Sequence, residues 1–163
     1  MKDWRKQIML RNVPQILSPE LLKIISEMGH SDRIVLTDAN FPAESMGKSG
    51  KVVRCDGLKV PQVLDAILRV MRLDAAVEKP VSLMAVAEGE NCETTIWDTY
   101  KEIVARYDER GKQAFQEIER FAFYEEAKTA YAIVYCSEYK LYANIMLQKG
   151  VLKPEDYVHV YET

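Results

Sequence analysis

The chain has 163 residues, 48% of them hydrophobic and 29% charged, with a formal net charge of −3. This length suits one domain with a substantial core, and we expect a single domain over residues 1–163. The weakly negative charge offers no binding surface for nucleic acid or for an anionic membrane. No apolar run approaches the roughly 18–20 residues that a membrane-spanning helix needs.

The N-terminal segment and the cysteines favour a cytoplasmic protein. The first fifteen residues, MKDWRKQIMLRNVPQ, lack the apolar core of a secretory signal. Cys55, Cys92 and Cys136 are odd in number and form no CxxC pair, so we expect reduced thiols rather than a disulfide framework or a zinc site. The stretch 8–17 is compatible with an edge strand or with an extended lead-in.

The first clear element is a helix that begins after Ser18. Ser18 is a good N-cap, and Pro19 suits the first helical position. Gly29 stands where a helix-ending residue in the left-handed conformation is expected, which would hold His30 on a short, rigid turn. The apolar residues recur on one helical face: Leu21, Leu22, Ile24, Ile25 and Met28.

A short buried strand follows, with Ile34-Val35-Leu36 as its core. Asp38 lies just past the carboxyl end of this strand, and Asn40 and Glu44 lie in the loop beyond it. Ligand-binding groups collect at this edge of α/β sheets. We therefore expect His30 and Asp38 to face one pocket.

Strand and helix patterns alternate along the rest of the chain, which predicts a three-layer α/β/α domain. Strands are predicted over 51–55, 81–87, 130–136 and 145–147, and an edge strand over 157–161 in the tail. Helices are predicted from Pro61, from Thr94 or Thr95, and over 121–128, with a second short helical stretch over 113–119.

Several familiar motifs are missing from the sequence. It contains no GxGxxG, P-loop, HExxH or GxSxG motif and no paired Cys/His cluster. We therefore expect neither a cofactor nor a metal ion. Glu88, Glu90, Glu125 and Glu126 are expected to be solvated acidic residues.

Four separated sequence blocks are distinctive: EMGHSDRIVLTDANFPAESM from residue 27, VVRCDGLKV from 52, RFAFYEEAKTAYAIV from 120 and YANIMLQKGV from 142. In this order they resemble the RbsD/FucU family of sugar mutarotases, and most of all its fucose mutarotase branch. The resemblance covers about 14–151, with irregular matching over 90–117 and a C-terminal extension at 152–163. It implies a mixed sheet and a homo-oligomeric ring, in some relatives a decamer, with pockets completed between subunits.

The resemblance also implies roles for particular residues. His30 matches the general acid/base, and histidine has a suitable unperturbed pKa of about 6.5. Tyr142 matches a sugar-contacting residue that could serve as the second proton-transfer group. The other implied sugar-binding residues are Asp38, Arg120 and Asn144, with Asn40, Glu44 and Tyr124 as further pocket residues.

The residues by themselves leave plainer roles open. His30 could cap the preceding helix, and Asp38 could be a turn residue. Arg120 could pair with Glu117 or Glu119 at the surface, and Tyr124 could belong to the core.

The function implied by the resemblance is that of an isomerase. It would be a cofactor-independent mutarotase that interconverts the α and β anomers of a reducing monosaccharide, L-fucose first among them. Two alternatives remain open: a ribose pyranase-like activity, and a sugar-binding protein without catalysis. The second arises because bacterial fucose mutarotases carry histidines where this chain has Asn40 and Glu44.

Overall fold

The structure, a computed structural model, describes residues 10–156. The predicted strand over 157–161 and His159 lie outside this range. The helices are α1 Pro19–Glu27, α2 Ala43–Met46, α3 Val60–Leu68, α4 Thr95–Val104 and α5 Arg120–Lys128. The strands are β1 Arg33–Thr37, β2 Lys51–Cys55, β3 Val81–Met84, β4 Phe115–Ile118, β5 Ala132–Cys136 and β6 Ile145–Gln148.

The six strands form one mixed sheet in the order β2-β5-β1-β6-β3-β4. Strand β5 is parallel to both β1 and β2, and β3 is parallel to β4. Strand β6 runs antiparallel to β1 and β3 and joins the two parallel groups. The predicted α/β class with a mixed sheet is confirmed.

The central strands are covered on both faces. All four residues of β3 are buried, as are four of the five residues of β1 and of β5. Because successive side chains of a strand point to opposite faces, such continuous burial requires layers on both sides of the sheet. Among the described helices, none is long and apolar enough to cross a membrane.

Helix α1 begins as predicted but ends differently. Ser18 Oγ accepts a hydrogen bond from the Leu21 N–H at 3.1 Å. Met28 ends the helix in an extended conformation, and the Asp32 carboxylate accepts the Gly29 N–H at 2.7 Å. The left-handed residue is Ser31, with φ 69°, so the expected left-handed conformation of Gly29 is wrong. With the Gly29 N–H bound by Asp32, the left-handed residue of the turn is Ser31, two residues after Gly29.

The structure corrects one further prediction and describes a stretch that the sequence left open. The stretch 113–119 is not one helix: a 3-10 helix over Gly111–Ala114 leads into β4, which pairs with β3 at the sheet edge. This pairing joins segments far apart in the chain, so local periodicity does not reveal it. Residues 10–17 form turns rather than a strand.

The cysteine prediction is confirmed, because all three thiols are free. Cys55 and Cys136 are buried, whereas Cys92 is partly exposed. Burial raises the pKa of the Cys55 thiol to about 11. Cys55 and Cys136 therefore act as small core residues.

Gly150 follows β6 where two backbones pass closely. Its N–H donates to the Arg72 carbonyl at 2.8 Å. A Cβ at this position would lie 2.4 Å from the Leu73 carbonyl oxygen and 2.9 Å from Asp74 Cα. Both obstacles are backbone atoms, so this position has no room for a side chain.

We predict that Gly150→Ala lowers the free energy of unfolding by about 1–3 kcal/mol, because the added methyl group overpacks the contact. Chemical denaturation would measure this. Gly29→Ala is the matched control: the nearest atom to its Cβ is 3.7 Å away and its φ is not positive. A change within about 0.5 kcal/mol is expected there, and a large loss at Gly29 would contradict the turn geometry described above.

Candidate active site

A cavity of about 220 Å³ opens at the carboxyl end of β1. This is below the roughly 300–1,000 Å³ of sites for drug-sized ligands, so it suits one small molecule. Its lining combines polar and charged side chains with aromatic and aliphatic ones. The lining residues are Asp38, Asn40, Phe41, Met84, Glu90, Arg120, Tyr124, Leu141, Tyr142 and Asn144.

Asp38 and Asn144 form a buried pair at the base of the cavity. Asn144 Oδ1 accepts the Asp38 N–H at 2.9 Å, and Asn144 Nδ2 donates to Asp38 Oδ2 at 3.1 Å. Asp38 Oδ1 accepts the Asn40 N–H at 2.9 Å. Asp38 follows β1 and Asn144 precedes β6, so the antiparallel pairing of these strands brings the two side chains together.

The environment of Asp38 makes its carboxylate a strong hydrogen-bond acceptor. Burial raises the pKa of this carboxyl above its usual value, and the hydrogen bonds from Asn40, Phe41 and Asn144 offset part of that rise. A desolvated carboxylate gains more from each hydroxyl group that donates to it than an exposed one does. Asp38 therefore suits a ligand that carries hydroxyl groups.

Glu90 links Arg120 to Tyr142 on the opposite side of the cavity. Tyr142 Oη donates to Glu90 Oε2, while Glu90 Oε1 lies 3.5 Å from Arg120 Nη1. Tyr142 Oη also accepts the Ala87 N–H at 3.2 Å. The hydrogen bond to Glu90 and desolvation raise the pKa of the Tyr142 hydroxyl, so its proton is held at neutral pH.

Helix α4 holds the backbone that carries Tyr142. Trp97 Nε1 donates to the Tyr142 carbonyl at 2.8 Å, and Tyr100 Oη donates to the Ala143 carbonyl at 2.7 Å. Tyr142 has φ 54°, a conformation that is rare and strained for a residue with a side chain. These buried anchors retain the strained conformation and aim the Tyr142 side chain at the cavity.

Six of the residues singled out in the sequence lie on the cavity lining: Asp38, Asn40, Arg120, Tyr124, Tyr142 and Asn144. Glu44 is exposed on α2 and does not line the cavity. Tyr124 packs against Phe41 with ring centroids 5.5 Å apart. Arg120 pairs with Glu90 rather than with its neighbour Glu119, whose carboxylate instead caps α5.

The sequence missed four lining residues: Phe41, Met84, Glu90 and Leu141. Glu90 is exposed, as expected of a solvated acidic residue, but its carboxylate also contacts Arg120 and Tyr142. The turn at Gly89, with φ 83°, carries Glu90 to the cavity. In the sequence, only the glycine at 89 hints at a turn beside Glu90. It does not indicate that Glu90 contacts Arg120 and Tyr142, which lie far along the chain.

His30 lies at the other end of β1. The five residues of this strand, at about 3.3 Å each, separate His30 from Asp38 by about 17 Å. His30 is absent from the cavity lining, so one chain does not bring these two residues to one pocket.

His30 does not cap helix α1. Lys149 Nζ donates to the carbonyls of Ile25 and Met28 at 2.7 and 2.5 Å and fills that role. The His30 ring instead contacts Asp74, with 3.1 Å between Nε2 and Oδ1.

The described residues contain no group of three or more His, Cys, Asp or Glu side chains that could hold a metal ion.

Sequence comparison places the chain in a family. It matches the RbsD / FucU transport protein family over residues 11–152, so the chain belongs to this family. The match spans every helix and strand described above.

Individual relatives are similar along nearly their whole length. Fucose mutarotase of Mus musculus is 44% identical over 149 residues, which is 89% of this chain and 96% of the relative. The crystal structure of FucU from Bifidobacterium longum has a TM-score of 0.87 at 49% identity and covers 88% of this chain and 100% of its own. Fucose mutarotase from Streptococcus pneumoniae in complex with L-fucose has a TM-score of 0.81 at 42% identity, with the same coverage.

We predict that Asn144→Ala lowers the free energy of unfolding by about 1–3 kcal/mol, because the Asp38 N–H and carboxylate would lose a buried partner. Urea denaturation would measure this, with Asn40→Ala as the control, since Asn40 is exposed and only its backbone N–H contacts Asp38. Equal stability of the two variants would mean that Asn144 does not support the fold.

Proposed function

We propose that this protein is a cofactor-independent fucose mutarotase, an isomerase that interconverts the α and β anomers of L-fucose. The observation that carries the proposal is that Asp38, Arg120, Tyr142 and Asn144 all line the same cavity. The similarity to fucose mutarotases, one of them solved with L-fucose, supports the choice of sugar. The free thiols support a cytoplasmic location.

The cavity offers complementary groups to a monosaccharide. The Asp38 carboxylate accepts from sugar hydroxyls, and the Arg120 guanidinium donates to neighbouring oxygens. Tyr142 and Asn144 each offer both a donor and an acceptor, and Tyr124 and Phe41 supply an aromatic wall. Together these side chains would fix the sugar ring while its anomeric carbon reacts.

The proposed reaction needs only two proton-transfer groups. One group removes the proton from the anomeric hydroxyl as the bond between the anomeric carbon and the ring oxygen breaks, and the other protonates the ring oxygen. The open aldehyde rotates about the bond between its first two carbons and the ring recloses, with the proton transfers reversed. A positioned acid or base typically contributes about 10²–10⁴-fold to such a step. We assign these roles to His30 and Tyr142.

We propose that His30 acts in the cavity of a neighbouring subunit within a homo-oligomeric ring, which we expect to be a decamer. The distance between His30 and the cavity in one chain supports this arrangement. Exposed apolar side chains support it too: Phe121, Tyr139 and Leu141 are 63%, 74% and 55% exposed, and Leu141 lines the cavity. Covering them by a second copy would remove apolar surface from water.

We predict that His30→Ala lowers anomer exchange by about 10²–10⁴-fold, because it removes the acid/base group. Saturation-transfer proton NMR between the two anomeric signals of L-fucose would measure the exchange, and calorimetry the affinity. Affinity should change little, since the hydroxyl-binding groups remain. An unchanged exchange rate would remove His30 from this role.

Mixing two inactive variants tests the shared site. Rings co-assembled from equal amounts of His30→Ala and Arg120→Ala chains should recover about a quarter of wild-type exchange, because random assembly gives that share of sites both intact parts. A site contained in one chain would recover nothing. Size-exclusion chromatography with light scattering would show whether mixed rings form.

We predict that Glu90→Gln weakens L-fucose binding about tenfold, because Arg120 and Tyr142 lose the carboxylate that orients them. Calorimetry would measure the affinity. Glu88→Gln is the matched control, because Glu88 is exposed and does not line the cavity. Equal affinity of the two variants would mean that Glu90 does not orient the sugar-binding groups.

The same assays distinguish the alternative functions. Interconversion of pyranose and furanose forms of D-ribose at a rate above that of L-fucose exchange would favour a ribose pyranase. Fucose binding without acceleration of exchange would favour a sugar-binding protein without catalysis.

A further inference from the structure

Asp74 is a buried carboxylate at the end of the central strands that lies opposite the cavity. The residue is 1% exposed, and its side chain receives hydrogen bonds from four groups. Oδ1 accepts the Ala76 N–H at 2.9 Å and contacts His30 Nε2 at 3.1 Å. Oδ2 accepts from Gln148 Nε2 at 3.0 Å and from Ser31 Oγ at 3.3 Å.

These contacts keep the Asp74 carboxylate ionised and fixed in place. Burial alone raises the pKa of this carboxyl, but the hydrogen bonds from Ala76, His30 and Gln148 outweigh burial and leave the pKa below its usual value. An ionised carboxylate has no proton to donate. The hydrogen atom between His30 and Asp74 must therefore belong to the imidazole ring.

The two nitrogens of His30 thus have different environments. Nε2 faces Asp74, whose side chain is 2% exposed, while the His30 side chain as a whole is 47% exposed. In a neutral imidazole one nitrogen carries the proton and the other accepts. A proton fixed on Nε2 leaves Nδ1 as the unprotonated nitrogen, available to a ligand.

We propose that Asp74 is a positioning residue that holds the neutral His30 ring in its Nε2-protonated form, so that Nδ1 exchanges the proton with the sugar. This inference rests on the proposed function for its catalytic part, but the position of the proton is a property of the chain itself. During ring opening Nδ1 takes the anomeric hydroxyl proton while Nε2 keeps its own, and Asp74 stabilises the imidazolium that forms. Nδ1 returns the proton when the ring recloses, and Asp74 remains ionised throughout.

A carboxylate that holds a proton-transferring histidine in one protonated form also occurs in the Ser-His-Asp triads of hydrolases. The neighbouring groups support this function. Gln148 at the end of β6 and Ser31 in the turn before β1 both donate to Asp74, so two elements of the sheet fix its orientation. Arg110 Nη1 donates to the backbone carbonyl of Asp74 at 3.1 Å and not to its carboxylate. The Asp74 side chain therefore remains available to His30.

Magic-angle-spinning NMR of the assembled protein, labelled with ¹⁵N-histidine, reads the proton position directly. The chain has two histidines, so loss of one set of signals in His30→Asn assigns the His30 ring. At a pH where the ring is neutral, we expect a proton-bearing Nε2 and an unprotonated Nδ1. The reverse assignment would overturn the proposal, whether or not His30 is catalytic.

The Asp74→Ala variant tests the consequence. We expect both neutral forms of the His30 ring to be populated and L-fucose exchange to fall about 10²-fold, with affinity within about threefold. Asp74→Asn keeps an acceptor oxygen and should retain more exchange than Asp74→Ala. An unchanged proton position in a folded Asp74→Ala protein would contradict the proposal.

Asp56→Ala is the matched control, because Asp56 is an exposed carboxylate paired with Arg54. It should alter neither the His30 signals nor exchange. If Asp74→Ala does not fold, the wild-type spectrum and Asp74→Asn still decide the question. A failure of the proposed catalytic role of His30 would appear separately, as an unchanged rate of anomer exchange in the His30→Ala variant.

Discussion

Strand β1 crosses the centre of the sheet, and its rigid length separates the Asp38–Asn144 pair at one end from the His30–Asp74 pair at the other. Pairing with β6 brings Asp38 to Asn144 at one end of the strand and the Ser31 backbone to Lys149 at the other end. A buried strand with neighbours on both sides cannot bend to bring its ends together. A ligand in the Asp38 cavity therefore meets His30 only if another chain supplies it, so the proposed chemistry would depend on assembly.

Buried hydrogen bonds fix the cavity groups before any ligand arrives. Asn144 orients Asp38 through two bonds, and Trp97 anchors the backbone of Tyr142. Such pre-organisation lowers the cost of ordering side chains upon binding. At the opposite edge, Asp74 orients His30 in a comparable way. Each half of the proposed site is thus rigid by itself, as two parts that meet across an interface need to be.

Local sequence patterns predicted much of the fold. Ser18 and Pro19 marked the start of α1, and apolar runs marked β1, β3 and β5, because N-caps and continuous burial leave local signatures. The failures have a common cause. Strand β4 was predicted as helix because its pairing with β3 involves a segment about thirty residues away. Gly29 was assigned a left-handed conformation that Ser31 adopts instead, because the Asp32 side chain reshapes the turn.

The sequence by itself determined the α/β class, the family and most of the polar groups of the cavity, because capping residues, burial patterns and sequence motifs are properties of short segments. Only the tertiary structure decided which groups meet. It brought Glu90 between Arg120 and Tyr142, paired His30 with Asp74, and set His30 apart from Asp38. These contacts join loops from different strands, and the order and direction of strands in the sheet, rather than any local pattern, fix which loops lie at the same edge.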